Sequence, residues 1–132
     1  MAKILVIEDD RSIRNLLDAL LSHKGYHVLL AENGEKGLEL FRQARPDVIV
    51  LDLKMPEMDG LTALRHIRSL NLTQPVIIYS GAWTPKKEEQ IRAIGITETV
   101  AKDCSWEYLE EAVKRALMCP DPGSEGALPK GK

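Results

Sequence analysis

Glu8, Asp9 and Asp10 follow directly on the apolar run "KILVI", Asp52 on "DVIVL", Ser80 on "PVIIY" and Lys102 on "GITETVA". Taken singly, each has an ordinary explanation: Asp10 can cap a helix, Ser80 can sit in a turn, and Lys102 can be a surface lysine. As a set they need more, because carboxylates held close together raise each other's pKa and cost stability unless a cation neutralises them. Glu8, Asp9 and Asp52 suit a hard divalent ion such as Mg2+, which takes oxygen ligands and often only one or two carboxylates besides phosphate and water. No histidine or cysteine accompanies them, which disfavours zinc and other metals that prefer softer ligands. His23, His27 and His66 fall elsewhere along the chain, and Cys104 and Cys119 form no Cys-x-x-Cys pattern, so both read as reduced thiols.

For these groups to meet, the apolar runs must be neighbouring strands. "KILVI" (3–7), "DVIVL" (47–51) and "PVIIY" (75–79) are continuous, as strands covered on both faces of a parallel sheet are. "HVLLA" (27–31) and "GITETVA" (95–101) are more polar and suit the edges. Segments of helical period lie between them. Residues 10–24 carry Ile13, Leu16, Leu17, Leu20 and Leu21 as one apolar stripe; residues 34–44, after an Asn33 cap, present Leu38 and Phe41. Residues 60–71 repeat Leu61, Leu64, Ile67 and Leu70. A fourth helix starts with Thr84 as cap and Pro85 in its first turn, with a thin apolar face of Ile91 and Ile94. The last, about 104–118, offers Trp106, Leu109, Val113, Ala116 and Leu117. This alternation predicts an α/β fold, a (βα)5 chain with a parallel five-stranded sheet, right-handed crossovers and helices on both faces. In such a sheet, ligands bind at the carboxyl ends of the strands where strand order reverses.

The length of 132 residues predicts one domain. Apolar residues at 44% and charged residues at 29% fit a folded globular chain. A net charge of -2 with no basic run argues against direct nucleic-acid binding. No apolar run is long enough to span a membrane, and the first residues turn acidic too early for a signal peptide, so a cytoplasmic location is expected. Residues 119–132, "CPDPGSEGALPKGK", read as a flexible Pro/Gly-rich tail or the start of a linker after a domain of residues 1–118.

In this order, "ILVIEDDRSIR", "PDVIVLDLKMPEMDG", "PVIIYSG" and "VAKD" resemble the receiver domain of two-component response regulators over residues 4–103. The resemblance implies a flavodoxin-like, doubly wound sheet of order 2-1-3-4-5, for which a chemotaxis receiver is itself a standard example. It implies Asp52 as phosphoacceptor, Glu8 and Asp9 as the acidic pair that holds Mg2+, and the carbonyl of Lys54 as a further metal ligand. Ser80 matches the hydroxyl that bonds a phosphoryl oxygen, and Lys102 the lysine that pairs with it. The implied partners are a sensor histidine kinase or phosphotransfer protein and a downstream protein or fused output domain, read through the surface of helix four, strand five and helix five. Homodimerisation through that surface is left open. Such a domain catalyses its own phosphorylation and dephosphorylation without being a conventional turnover enzyme.

Two positions depart from the family pattern. Asp103 stands where most receivers have proline after the lysine, so a trans Lys102–Asp103 bond or a strained cis one is expected, with Asp103 or Ser105 capping the last helix. Thr99 stands where many receivers carry an aromatic residue that turns inward. Two other readings compete: a pseudo-receiver that scaffolds partners without phosphorylation, and an aspartate-nucleophile phosphatase. The intact residue set opposes the first; Lys54, where the phosphatase needs a second acid, opposes the second.

Overall fold

The computed structural model describes residues 2–53, 60–81, 84–95, 98–102 and 105–118. Its strands are β1 (Lys3–Ile7), β2 (His27–Ala31), β3 (Val48–Leu51), β4 (Val76–Ser80) and β5 (Glu98–Ala101). Its helices are α1 (Arg11–His23), α2 (Gly34–Ala44), α3 (Gly60–Leu70), α4 (Pro85–Ile94) and α5 (Trp106–Met118). All strand pairs are parallel and the order is β2-β1-β3-β4-β5. The continuous runs are therefore the inner strands, and the two more polar runs are the edges, where fewer side chains need burying.

Alternation along each strand divides the core in two. Leu5, Ile7, Ile49, Leu51, Val76 and Ile78 face α2, α3 and α4, whose Leu38, Phe41, Leu64, Ile67 and Ile91 complete that layer. Ile4, Val6, Val48, Val50, Ile77 and Val100 face α1 and α5, meeting Leu17, Leu21, Leu109, Val113 and Ala116. Asp10, Asn33 and Thr84 cap α1, α2 and α4, each side chain accepting a backbone N–H three residues on.

Several expectations need correction. Leu16 and Leu70 are more than half exposed, because an α-helix packed on a sheet buries a narrower stripe than their spacing suggested. Leu20, Trp106 and Leu117 are only partly buried. The fifth strand starts at Glu98, and Gly95 instead closes α4, its N–H donating to the Ile91 carbonyl. Asp47 lies just before β3, where its carboxylate accepts from the Lys3 N–H at 2.8 Å. Ser80 is the last residue of β4, not the residue after it. No helix among the described residues is long and apolar enough to cross a membrane.

Candidate functional site

The hydrogen-bonding ladder of the sheet runs one residue past three strands, and those three residues are Glu8, Asp52 and Lys102. The Glu8 N–H donates to the Ala31 carbonyl at 3.0 Å, the Asp52 N–H to Ile7 at 3.0 Å, and the Lys102 N–H to Ser80 at 3.1 Å. Each of these candidate side chains thus leaves from backbone pinned to the neighbouring strand. Period-two alternation puts Glu8, Asp52 and Lys102 in phase with Val6, Val50 and Val100, above the α1–α5 layer. Ser80 is in phase with Ile78, above the layer that contains α4.

The groups line one cleft of about 380 Å³, made by Glu8, Asp9, Asp10, Asp52, Ser80, Gly81 and Lys102. Glu8 and Asp52 are buried at 2% and 4% exposure, and Ser80 is fully buried, whereas Asp9 is exposed. The Lys102 ammonium lies 2.9 Å from Glu8 Oε1 and 3.3 Å from Asp52 Oδ2, so it is the internal counter-ion of the buried pair. It also lies 6.0 Å from the centroid of the Tyr79 ring. Burial pushes the Glu8 carboxyl up to about 7; the Asp52 charge adds to the rise, while Lys102 and the Asp10 N–H oppose it. Burial also works against the Lys102 charge, but Glu8 and Asp52 together outweigh it and its pKa is raised.

One oxygen each from Glu8, Asp9 and Asp52 can be chosen so that all lie within 4.8 Å of one another. This is an all-oxygen, acidic donor set with an exposed mouth, and it fits a hard divalent cation such as Mg2+. His23, His27 and His66 are exposed and lie outside the cleft. The Lys54 carbonyl, Asp103, and the bond between Lys102 and Asp103 fall outside the described residues, as do both cysteines.

Asp10 has the ordinary role that its type suggested as well as a place in the cleft: its Oδ1 caps α1 by accepting from the Ile13 N–H at 3.1 Å. Two contributors were missed from sequence. Arg14 reaches back from α1 to donate to the Glu8 carbonyl at 2.9 Å, holding the acidic loop from behind. Gly60 approaches the chain beneath Asp52 so closely that a Cβ there would sit 2.3 Å from the Asp52 carbonyl oxygen and 2.5 Å from the Leu53 Cα. A glycine opening a helix soon after a strand end was the available signal. Gly60→Ala must push backbone aside, so we expect a loss of about 1–3 kcal/mol in urea unfolding; an unchanged midpoint would mean that the loop yields freely.

The family model described as the response regulator receiver domain matches residues 4–114. The chain belongs to this family. Receiver domains are signalling switches that bind Mg2+ at an acidic pocket, interact with histidine kinases or phosphotransfer proteins, and act on output domains. The response regulator MprA of Mycolicibacterium vanbaalenii is 43% identical over 124 residues, covering 92% of this chain and 54% of its own. The regulatory protein AtoC of Escherichia coli is 32% identical over 116 residues, covering 88% of this chain and 25% of its own. The chain thus spans between about a quarter and about half the length of these relatives. Among solved structures, the chemotaxis protein CheY4 of Vibrio cholerae superposes with a TM-score of 0.83 at 32% identity, over 89% of this chain and 99% of that one. The receiver fold and its 2-1-3-4-5 strand order are therefore as the sequence motifs implied.

Proposed function

We propose that this chain is a phosphoaccepting switch of a two-component pathway, with Asp52 as the phosphoacceptor. What supports the reading is one juxtaposition: Asp52 lies in a cleft with the Glu8 and Asp9 carboxylates within 4.8 Å, and the Lys102 ammonium is 3.3 Å from its Oδ2. Glu8, Asp9 and Asp52 would hold Mg2+, with the Lys54 carbonyl as a further ligand. When bound, Mg2+ would neutralise charge on the phosphoryl oxygens.

The chain's own residues do the rest. An Asp52 carboxylate oxygen attacks phosphorus of a phosphohistidine; a P–O bond forms, the donor P–N bond breaks, and the histidine nitrogen leaves with the electron pair. Lys102, already at the carboxylates, pairs with charge on the transferring group, and the Ser80 hydroxyl donates to a phosphoryl oxygen. In the reset, water attacks phosphorus, the bond to the Asp52 oxygen breaks, inorganic phosphate leaves and the carboxylate is restored. The chain thereby catalyses its own modification and reversal without turning over a separate substrate. Phosphorylation adds charge and acceptor oxygens, draws Ser80 inward and biases the α4–β5–α5 surface between two arrangements. Thr99 is exposed on β5, so no aromatic side chain at that position takes part.

The kinase or phosphotransfer partner would meet the open cleft, and the downstream protein or fused output domain the α4–β5–α5 surface, which would also be the face for any homodimer. The expected location is the cytoplasm, with residues 1–118 as the receiver and 119–132 as tail or linker. Incubation with acetyl phosphate and Mg2+, followed by intact-mass measurement, tests the proposal. A gain of one phosphoryl group that hydroxylamine removes is expected; no gain would sink the reading. We expect Lys54→Ala to change the lifetime of the phosphoryl group without preventing its formation. An unchanged decay rate after removal of the donor would count against a role for that side chain in water access.

A further inference from the structure

Arg68 is a charged residue on the packed side of α3, only 9% exposed, and two of its guanidinium nitrogens donate to backbone carbonyls. Nε donates to Gly95 at 2.8 Å; one terminal nitrogen donates to Gln74 at 2.7 Å and to Asn71 at 3.2 Å. Burial lowers its pKa, yet guanidinium starts so high that the charge persists. These carbonyls belong to three segments: the residue beyond the end of α3, the loop before β4, and the C-cap of α4. The negative ends of two helices therefore converge on one cation.

The α4 end of this arrangement is built to present its carbonyl. Gly95 has φ +102, in the left-handed region that favours glycine, and a Cβ there would lie 3.9 Å from Arg68 Nε. The attachment of α4 to the core is just as lopsided. Ile91 is 1% exposed and Ile94 packs on the same core, both in the last turn. In the half from Pro85 to Gln90, by contrast, every residue is exposed or only half-buried. That looser end follows the segment leaving Ser80 and Gly81, two residues of the cleft.

We propose that Arg68 is a positioning residue that fixes the carboxyl end of α4 as a pivot, so that the helix responds to the cleft by moving its amino-terminal half. The surface offered to a partner would then change at Lys86, Lys87 and Gln90 and stay constant at Ile91 to Gly95. The inference rests on the phosphorylation reading for what drives the movement, while the anchoring of the pivot stands on the contacts alone.

Hydrogen exchange followed by mass spectrometry tests it on the wild-type chain, Arg68→Met and Gly95→Ala, each with and without acetyl phosphate and Mg2+. The Gly95 variant disturbs the same contact from the other side, so a folding failure of one leaves the other informative. In unmodified protein, both variants should exchange roughly tenfold faster than wild type at residues 91–95, normalised to the β1 amides that report global opening. Phosphorylation of the wild type should alter exchange at 88–90 and leave 91–95 unchanged, and in Arg68→Met the alteration should spread across both. Equal alteration of both halves in the wild type overturns the proposal, as do variants whose 91–95 exchange matches wild type after normalisation. If acetyl phosphate adds no mass, the switch reading fails on that observation, and the unmodified comparison still decides the pivot.

Discussion

Asp52→Asn will take up no phosphoryl group from acetyl phosphate, and in the absence of metal it will melt at a higher temperature than the wild type. The first effect is the loss of the proposed nucleophile. The second follows from the charge balance of the cleft. Glu8 and Asp52 are both buried, and the Asp52 charge helps to hold the Glu8 carboxyl up near 7. Lys102 lies closer to Glu8, at 2.9 Å, than to Asp52, at 3.3 Å, so the variant keeps the tighter pair while losing the repulsion. Relief of such crowding gives about 1 kcal/mol, or roughly 4 °C in Tm for a domain of this size. Added Mg2+ should raise the wild-type Tm more than the variant's, because at a given concentration a ligand stabilises the native state more the more tightly it binds there. Thermal melts with and without Mg2+ check this, and a metal-free variant that melts below wild type would show that Asp52 contributes more through its hydrogen bonds than it costs by repulsion.

Lys102→Ala will have the opposite effect on stability and an equally severe one on chemistry. Removing preorganised charge from a phosphoryl-transfer site costs on the order of 10²–10³ in rate, so if the cleft is that site, as proposed, single-turnover labelling by acetyl phosphate should slow by that factor. The variant also leaves two buried carboxylates without their counter-ion, a loss of about 1–3 kcal/mol at a partly open site. That loss must depend on pH. The Glu8 pKa is raised in the folded chain from 4.5 to about 7, so its contribution to stability is full below the unfolded value and is lost as pH rises through about 7. Lys102, also raised, keeps its contribution until pH passes its own ordinary value of 10.5 and loses it above. Without the ammonium, Glu8 climbs further and the decline with pH deepens. Urea unfolding at about pH 5 and about pH 8 should therefore show the variant close to wild type at the lower pH and clearly weaker at the higher one. A difference that is the same at both would place the damage in packing.

The sheet was readable because its inner strands are covered on both faces, which removes polar residues from "ILVI", "VIVL" and "VII" and leaves nothing else they could be. Strand order was not readable from periodicity; it came with the motif resemblance, and the observed pairing agrees. The extent of helix burial was overread at Leu16 and Leu70, since spacing shows which residues share a face and not how wide the contact is. Glu8, Asp9, Asp52, Ser80 and Lys102 could be gathered from sequence because each ends or follows a strand. Arg14 and Arg68 could not, because their partners are carbonyls, which every residue carries and which leave no trace in composition. Gly60 is intermediate: the residue is visible, but its closeness to Asp52 exists only in three dimensions.

The stitching of Glu8, Asp52 and Lys102 to their neighbouring strands has a consequence for how the chain reaches its working form. The amide of Asp52 is held by Ile7 and that of Lys102 by Ser80, so neither position exists until strands distant in the chain have met in register. A collapsed chain with all five helices but a slipped sheet would not bring Glu8, Asp9 and Asp52 together, since a one-residue slip turns the side chains to the opposite face. Nor does the repulsion between Glu8 and Asp52 arise before that moment, so this long-range crowding does not hinder the early stages of assembly. Metal affinity during refolding should thus appear last, with the final pairing of the sheet, and serve as a late clock for folding.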